Sequence, residues 1–247
     1  ISSNLEAGAK LYPFKEIDGM YDGFILEVKD NRKYFNWENV SNPTYAPRIL
    51  FDDINRDGQK EFIIILVTGT GTGVHIEDIH VINPDTFAEI EVEAPSDIVE
   101  KHIDSEIESN GDKMAIHIAI GDEETTIYQE KDYAAVWFDN AIFSSSFRYE
   151  VIDNKLMLGL PAQVSPAGFI GEIEVTYEYL DGKYAVNTIQ YNNEEDVPVD
   201  PATDPATGQP NSASGYMQAL RQEYYEFGIE NRLDYVPVFE EGQAPSS

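Results

Sequence analysis

The stretch Asp53-Ile-Asn55-Arg-Asp57-Gly58-Gln59-Lys-Glu61-Phe62-Ile-Ile-Ile-Leu-Val67 decides how the chain is read. Its second half is a continuous apolar run, rich in β-branched side chains and set directly behind a turn signal. That pattern predicts a central strand buried on both faces. His75 to Ile82 follows as its neighbour. Further out, period-two segments pair across short polar turns. Phe24–Val28 and Lys33–Trp37 flank Asp30-Asn31, and Met114-Ala-Ile-His-Ile-Ala-Ile120 meets Thr125–Gln129 across Gly121-Asp122. Phe147–Ile152 and Leu156–Leu160 flank Asp153-Asn154, and Glu172–Tyr179 and Tyr184–Tyr191 flank Asp181-Gly182. Such dipeptides tolerate the left-handed backbone of a tight hairpin turn. The expected fold is therefore mainly β, built of antiparallel hairpins from about Phe14 to Tyr191.

Helical signals are sparse. Pro95 to Ile103 has proline at a first-turn position and an acid behind it, which suits a short helix in the core. From Gly215 to Leu233, Tyr216, Leu220, Tyr224 and Phe227 form one apolar stripe at helical spacing. Before it, residues 194–214 carry Pro198, Pro201, Pro205 and Pro210, the composition of an extended linker. The expected organisation is a β-rich domain over 1–193, an acidic Pro-rich linker over 194–214, and a helical C-terminal arm and tail over 215–247.

Composition narrows the function. With 16 Lys+Arg against 46 Asp+Glu among 247 residues, the formal net charge is −30. Such a surface repels phosphate backbones and anionic lipid and attracts divalent cations, so no nucleic acid is expected as a partner. The chain has no cysteine, which removes disulfides, thiolate metal sites and thiol nucleophiles together. No apolar run is long enough to predict a membrane span. A chain starting at Ile1 rather than Met is expected of a secreted protein whose signal peptide has been removed.

The chemistry concentrates in the loop before the central strand. Asp53, Asn55, Asp57 and Glu61 stand at positions one, three, five and nine, with Gly58 for the sharp turn and the Gln59 carbonyl at position seven. Hard oxygen donors at this spacing predict a Ca²⁺ site. It is not an EF-hand, because position twelve is Ile64 and strands flank the loop. The order Ile49-Leu-Phe51, Asp-x-Asn-x-Asp-Gly-x-x-Glu, Phe-Ile-Ile-Ile resembles the calcium loop of FG-GAP and VCBS-type repeats, here in a single copy over Ile49–Val67. In those families the loop belongs to β-structured modules of secreted or cell-surface proteins, so the resemblance implies a calcium-binding, non-enzymatic role outside the cell. Tyr149 to Tyr191 is similar to uncharacterised extracellular proteins of Gram-positive spore formers, which implies the same location.

Other signals carry less. Thr68-Gly-Thr-Gly-Thr-Gly73 lacks the Gly-Lys-Ser/Thr ending of a phosphate loop and reads as a loop or strand-edge bulge. His75 and His80 fall on opposite faces of one strand, and His117 reads as a sheet-surface residue. Asp104, Glu106, Glu108 and Asp112 form a second acidic cluster, a solvated face or a second cation site. Asn39-Val-Ser41 fits a glycosylation acceptor, and Asp52 reads as solvent-facing. A carboxylate-based hydrolase is the least favoured class, since no acid pair is distinguished among so many. The alternative to a binding module is a subunit of an extracellular assembly that self-associates through residues 215–239.

Overall fold

The computed structural model describes residues 1–71 and 73–193. The chain divides into two units, Ile1–Pro198 and Val199–Ser247, so the described strands all belong to the first. The linker and the C-terminal arm expected over 194–247 lie outside the described residues.

The first unit is mainly β. Strands β1 (Ser2–Asn4), β2 (Ala9–Ile17), β3 (Met20–Val28) and β4 (Asn31–Val40) form a four-stranded antiparallel meander. β5 (Arg48–Asp52), β6 (Glu61–Gly71), β7 (Val74–Ile82) and β8 (Glu89–Ile90) follow, then helix α1 (Pro95–His102). β9 (Ile103–Asn110), β10 (Lys113–Ile120) and β11 (Glu123–Glu130) form a three-stranded meander. The last strands, β12 (Ser146–Ile152), β13 (Lys155–Ser165), β14 (Gly168–Leu180) and β15 (Lys183–Asn192), join β5–β7 in the order β15-β14-β13-β12-β7-β6-β5.

The apolar run behaves as its pattern requires. Along β6, Phe62, Ile64 and Leu66 enter one core with Leu11, Phe24, Leu26, Phe35 and Trp37 of the meander. Ile63 and Ile65 point the other way, into a larger core with Val81, Leu158, Leu160, Ile173, Val175 and Ile98. Alternate side chains of a strand face opposite sides, so one strand divides two cores. Each fully buried Ile or Leu contributes roughly 1.5–3 kcal/mol of transfer free energy. At α1, Ile98 is the buried anchor, Asp97 lies in the first turn, and Lys101 and His102 lie in the last, matching the helix dipole.

Several expectations need correction. The eight-stranded sheet is mixed, because β12 pairs parallel to β7 through Ser146/His75 and Phe147/Ile76. The strand region starts at Ser2, well before Phe14. The first hairpin turns at Lys29-Asp30, with Lys29 in the left-handed region, one residue earlier than expected. Gly23 takes φ +80 at a register break in β3, where an added Cβ would stand 2.4 Å from the Tyr34 hydroxyl oxygen. The Gly-rich segment extends β6 to Gly71, with a register break between Val67 and Gly69.

Beyond β8 the chain joins the far edge of the sheet. Val92 bridges Tyr184 in parallel, the Tyr184 N–H donates to the Glu91 carbonyl at 2.8 Å, and the Glu93 N–H donates to Tyr184 O at 2.9 Å. β7, β12, β13, β14, β15 and the β8–Val92 strip thus form a closed ring of pairings. One edge of β7 is shared, by β12 at its start and β8 at its end. Where β12 leaves β7, the buried Glu77 and half-buried Arg48 serve its backbone. Glu77 accepts from the Tyr149 N–H at 2.7 Å, and Arg48 Nη2 donates to the Tyr149 carbonyl at 3.0 Å and to Glu77 at 2.9 Å. His75 Nε2 lies 3.2 Å from Glu77, and these contacts hold the Glu77 carboxyl below its ordinary range against the cost of burial.

Candidate functional site

The loop between β5 and β6 is folded by its own acids. Asp53 accepts from the Asp57 N–H at 3.1 Å through one oxygen and from the Gly58 N–H at 3.0 Å through the other. Asn55 Oδ1 accepts from the Asp57 N–H at 2.8 Å, and Asp57 Oδ1 accepts from the Gln59 N–H at 2.7 Å. Carboxylates bonding backbone N–H groups a few residues on are the usual device of tight Asx turns. Arg56 and Gly58 take φ of 60 and 90, the left-handed conformations that let the loop reverse.

Glu61, the last of the predicted ligands, occupies a different environment. It is only 2 % exposed, on the face of β6 that carries Ile63 and Ile65. Its Oε2 accepts from the Ile54 N–H at 3.2 Å and its Oε1 from Asn55 Nδ2 at 2.8 Å. The same Asn55 nitrogen lies 3.2 Å from Asp57 Oδ2, so one amide N–H₂ group bridges two carboxylates. Burial pushes the Glu61 carboxyl up to about 7; the hydrogen bond from Ile54 opposes the rise, and the charges of Asp57 and Asp53 add to it. Among the described residues no Lys or Arg pairs with Asp53, Asp57 or Glu61. Lys60 pairs with Glu6 at 3.3 Å, and Arg56 donates to the Asp153 carbonyl at 3.4 Å.

Sequence reasoning passed over three neighbours. Asp52 is not simply solvent-facing: its Oδ1 accepts from the Asp53 N–H at 3.0 Å and from Asn154 Nδ2 at 3.1 Å. Asn154 also donates to the Asp53 carbonyl at 3.1 Å, so the β12–β13 turn braces the loop. Nothing local in the chain puts position 154 against position 52. Tyr184 is 1 % exposed with its hydroxyl unpartnered; burial raises its pKa, and the charge of Glu61 raises it further.

The glycosylation reading of Asn39 is overturned. The residue is fully buried, its amide donates to the Val40 and Tyr45 carbonyls, and its Oδ1 accepts from the Val67 N–H at 2.7 Å. Asp104, Glu106 and Glu108 alternate along β9, where Glu108 lies 3.7 Å from His117 of β10. No protein-family model matches the chain, and no curated protein matches it. Among the described residues no three His, Asp or Glu side chains stand together closely enough to hold a metal ion. No helix among them is long and apolar enough to cross a membrane.

The loop's predicted ligands remain apart from one another in these terms: Asp53, Asn55 and Asp57 close on backbone N–H groups, and Glu61 lies on the strand. All the predicted ligand groups are oxygens, and the charges are three carboxylates without a cationic side chain. The Asn55 amide nitrogen stands between Asp57 and Glu61, where a positive group is favoured.

Proposed function

We propose that the protein is a calcium-binding, non-enzymatic module that works outside the cell, with Ca²⁺ held in the β5–β6 loop as in FG-GAP and VCBS-type repeats. Asp53, Asn55, Asp57 and Glu61 supply side-chain oxygens, and Gln59 supplies its carbonyl. The single observation that carries this reading is Glu61: a carboxylate 2 % exposed, beside two further acids, with no cationic side chain paired to it among the described residues. Leaving a buried carboxylate uncompensated is costly, and a divalent ion removes the cost. An affinity in the 10⁻⁴–10⁻³ M range of extracellular modules fills the site outside the cell and leaves it empty in the cytosol.

The test is thermal unfolding of the full chain in chelator and in rising Ca²⁺. At a hundredfold excess over the dissociation constant the ion adds about 2.7 kcal/mol. For a domain of this size that raises the melting temperature by roughly 5–11 °C. A melt that stays the same from chelator to 10 mM Ca²⁺ refutes the reading.

A further inference from the structure

The three-stranded sheet ends at β11, which among the described residues pairs with β10 alone. The two-residue turn at Gly121-Asp122 fixes which of its backbone groups are in use. Ile120 faces Glu123 across the turn, so the Glu123 N–H bonds to β10. The alternation of an antiparallel ladder then turns the N–H groups of Thr125, Ile127 and Gln129 inward too, and those of Glu124, Thr126, Tyr128 and Glu130 off the sheet. The Glu130 N–H is taken by the Gln129 side chain at 3.1 Å. The N–H groups of Glu124, Thr126 and Tyr128 form no hydrogen bond among the described residues.

The same register defines what flanks this edge. Glu124 and Glu130 lie on the face turned away from the larger core, with the ring of Tyr128, 56 % exposed, between them. Glu124 lies 3.2 Å from His117, and Glu130 pairs with Lys113 at 2.9 Å. Asp104, Glu106 and Glu108 of β9 extend the negative charge across that face. On the other face Ile127 packs against the larger core and is only partly covered. An unpaired edge is a template for another strand. A second copy is a poor occupant, because antiparallel pairing of two β11 strands about their middle sets Glu123 of one against Glu130 of the other.

We propose that the β11 edge takes up an extended cationic segment of a partner protein as a fourth strand. The unpaired groups of Glu124, Thr126 and Tyr128 supply the ladder, and the alternation of side chains supplies the choice of partner. Lys or Arg side chains of the segment fall on the acidic face, beside Glu124 and Glu130 and over the Tyr128 ring, whose π face attracts a cation. Its alternate, apolar side chains fall on the opposite face and cover Ile127. This surface is separate from the calcium loop and does not depend on it.

The experiment titrates the full chain, in chelator and at near-physiological salt, with an octapeptide in which Lys alternates with Val. The comparator is the same peptide with every backbone nitrogen methylated, which keeps the charge and removes the donors. One peptide per chain is expected, with the methylated form weaker by about tenfold or more, the loss of a few ladder hydrogen bonds. Hydrogen exchange should slow most at the amides of Glu124, Thr126 and Tyr128. Thr126→Pro removes an outward N–H without breaking a bond to β10, a place where an edge strand tolerates proline, and gives up the Thr126 Oγ1 contact with His117. With its fold checked by thermal melting, it should weaken the peptide about tenfold. Glu124→Gln and Glu130→Gln, both at exposed positions, should each weaken it about two- to fivefold. Glu16→Gln makes the same charge change on β2 and should leave affinity unchanged. The proposal is overturned by no binding at millimolar peptide, by equal binding of the methylated form, or by protection that appears away from residues 124–128. It is also overturned if a folded Thr126→Pro binds like the parent, if Glu16→Gln weakens binding as much as the β11 variants, or if those amides become protected by self-association of the chain without peptide.

Discussion

Glu61→Gln separates the two costs that meet at the β5–β6 loop. In the folded chain the Glu61 carboxyl titrates at about 7 rather than its ordinary 4.5. At about 1.4 kcal/mol per pH unit the difference amounts to about 3 kcal/mol, an upper figure because water can relax toward the loop. The sign follows from proton linkage. Between 4.5 and 7 the folded state holds a proton that the unfolded state has released, so stability falls as pH rises through that window. Below it both states are protonated and the penalty vanishes; above it the penalty is complete. The Gln side chain keeps the shape and the acceptor for the Ile54 N–H but carries no charge. In chelator, Glu61→Gln should therefore be more stable than the parent chain at pH 8 by up to about 3 kcal/mol and nearly equal to it at pH 4.5. In millimolar Ca²⁺ the order should reverse, because the parent gains the ion and the variant loses a ligand. Urea unfolding at both pH values, with chelator and with Ca²⁺, reads all four conditions. If the variant tracks the parent across pH 4.5–8 in chelator, the buried-carboxylate argument fails. If Ca²⁺ stabilises the two equally, Glu61 is not a ligand.

Two further outcomes test the frame that holds the loop. Arg48→Met should cost about 3–5 kcal/mol, because it leaves the Glu77 carboxylate buried without its guanidinium partner; a loss below 1 kcal/mol in urea unfolding would mean that His75 and the Tyr149 N–H suffice. Asn39→Ala should cost about 1–3 kcal/mol by leaving the buried Val67 N–H unpaired and freeing the part-buried Tyr45 carbonyl; expression in a glycosylating host should leave Asn39 of the folded parent chain unmodified by mass spectrometry.

The hairpins were legible because a two-residue turn and the alternation on either side of it are local. Asp153 and Asn154 both take positive φ, as do Asp181 and Gly182, and the strands around each pair as their turn dictates. The parallel β7–β12 ladder was not legible. It joins residues about seventy positions apart with no turn to announce it, and the half-buried Arg48 and buried Glu77 that serve it look in sequence like surface residues. Ring closure through Val92 and Tyr184 rests on a single bridge. The Asn39 error had an available remedy. Phe35, Trp37 and Asn39 alternate along β4, so the period that buries the two aromatic rings buries the amide with them. A three-residue acceptor pattern carries no information about which way its side chain faces.

The same period explains why the loop is more than a polar turn. Its first acidic and amide residues, Asp53, Asn55 and Asp57, sit where oxygen spacing alone can be read, and each closes on backbone N–H groups nearby. Glu61 belongs to the strand as much as to the loop. Standing two residues before Ile63, it is carried onto the face that fills the larger core, and its burial was therefore implicit in the alternation. A carboxylate fixed in this way ties the charge state of the loop to the first residue of the strand that divides the two cores. The Asn154 brace extends that tie to the β12–β13 hairpin. Neutralising the loop, by proton or by cation, should accordingly stabilise the whole sheet cooperatively. The amides of β6 and β13 should gain hydrogen-exchange protection together in Ca²⁺; protection confined to residues 53–61 would show the loop to be energetically isolated from the strand it opens.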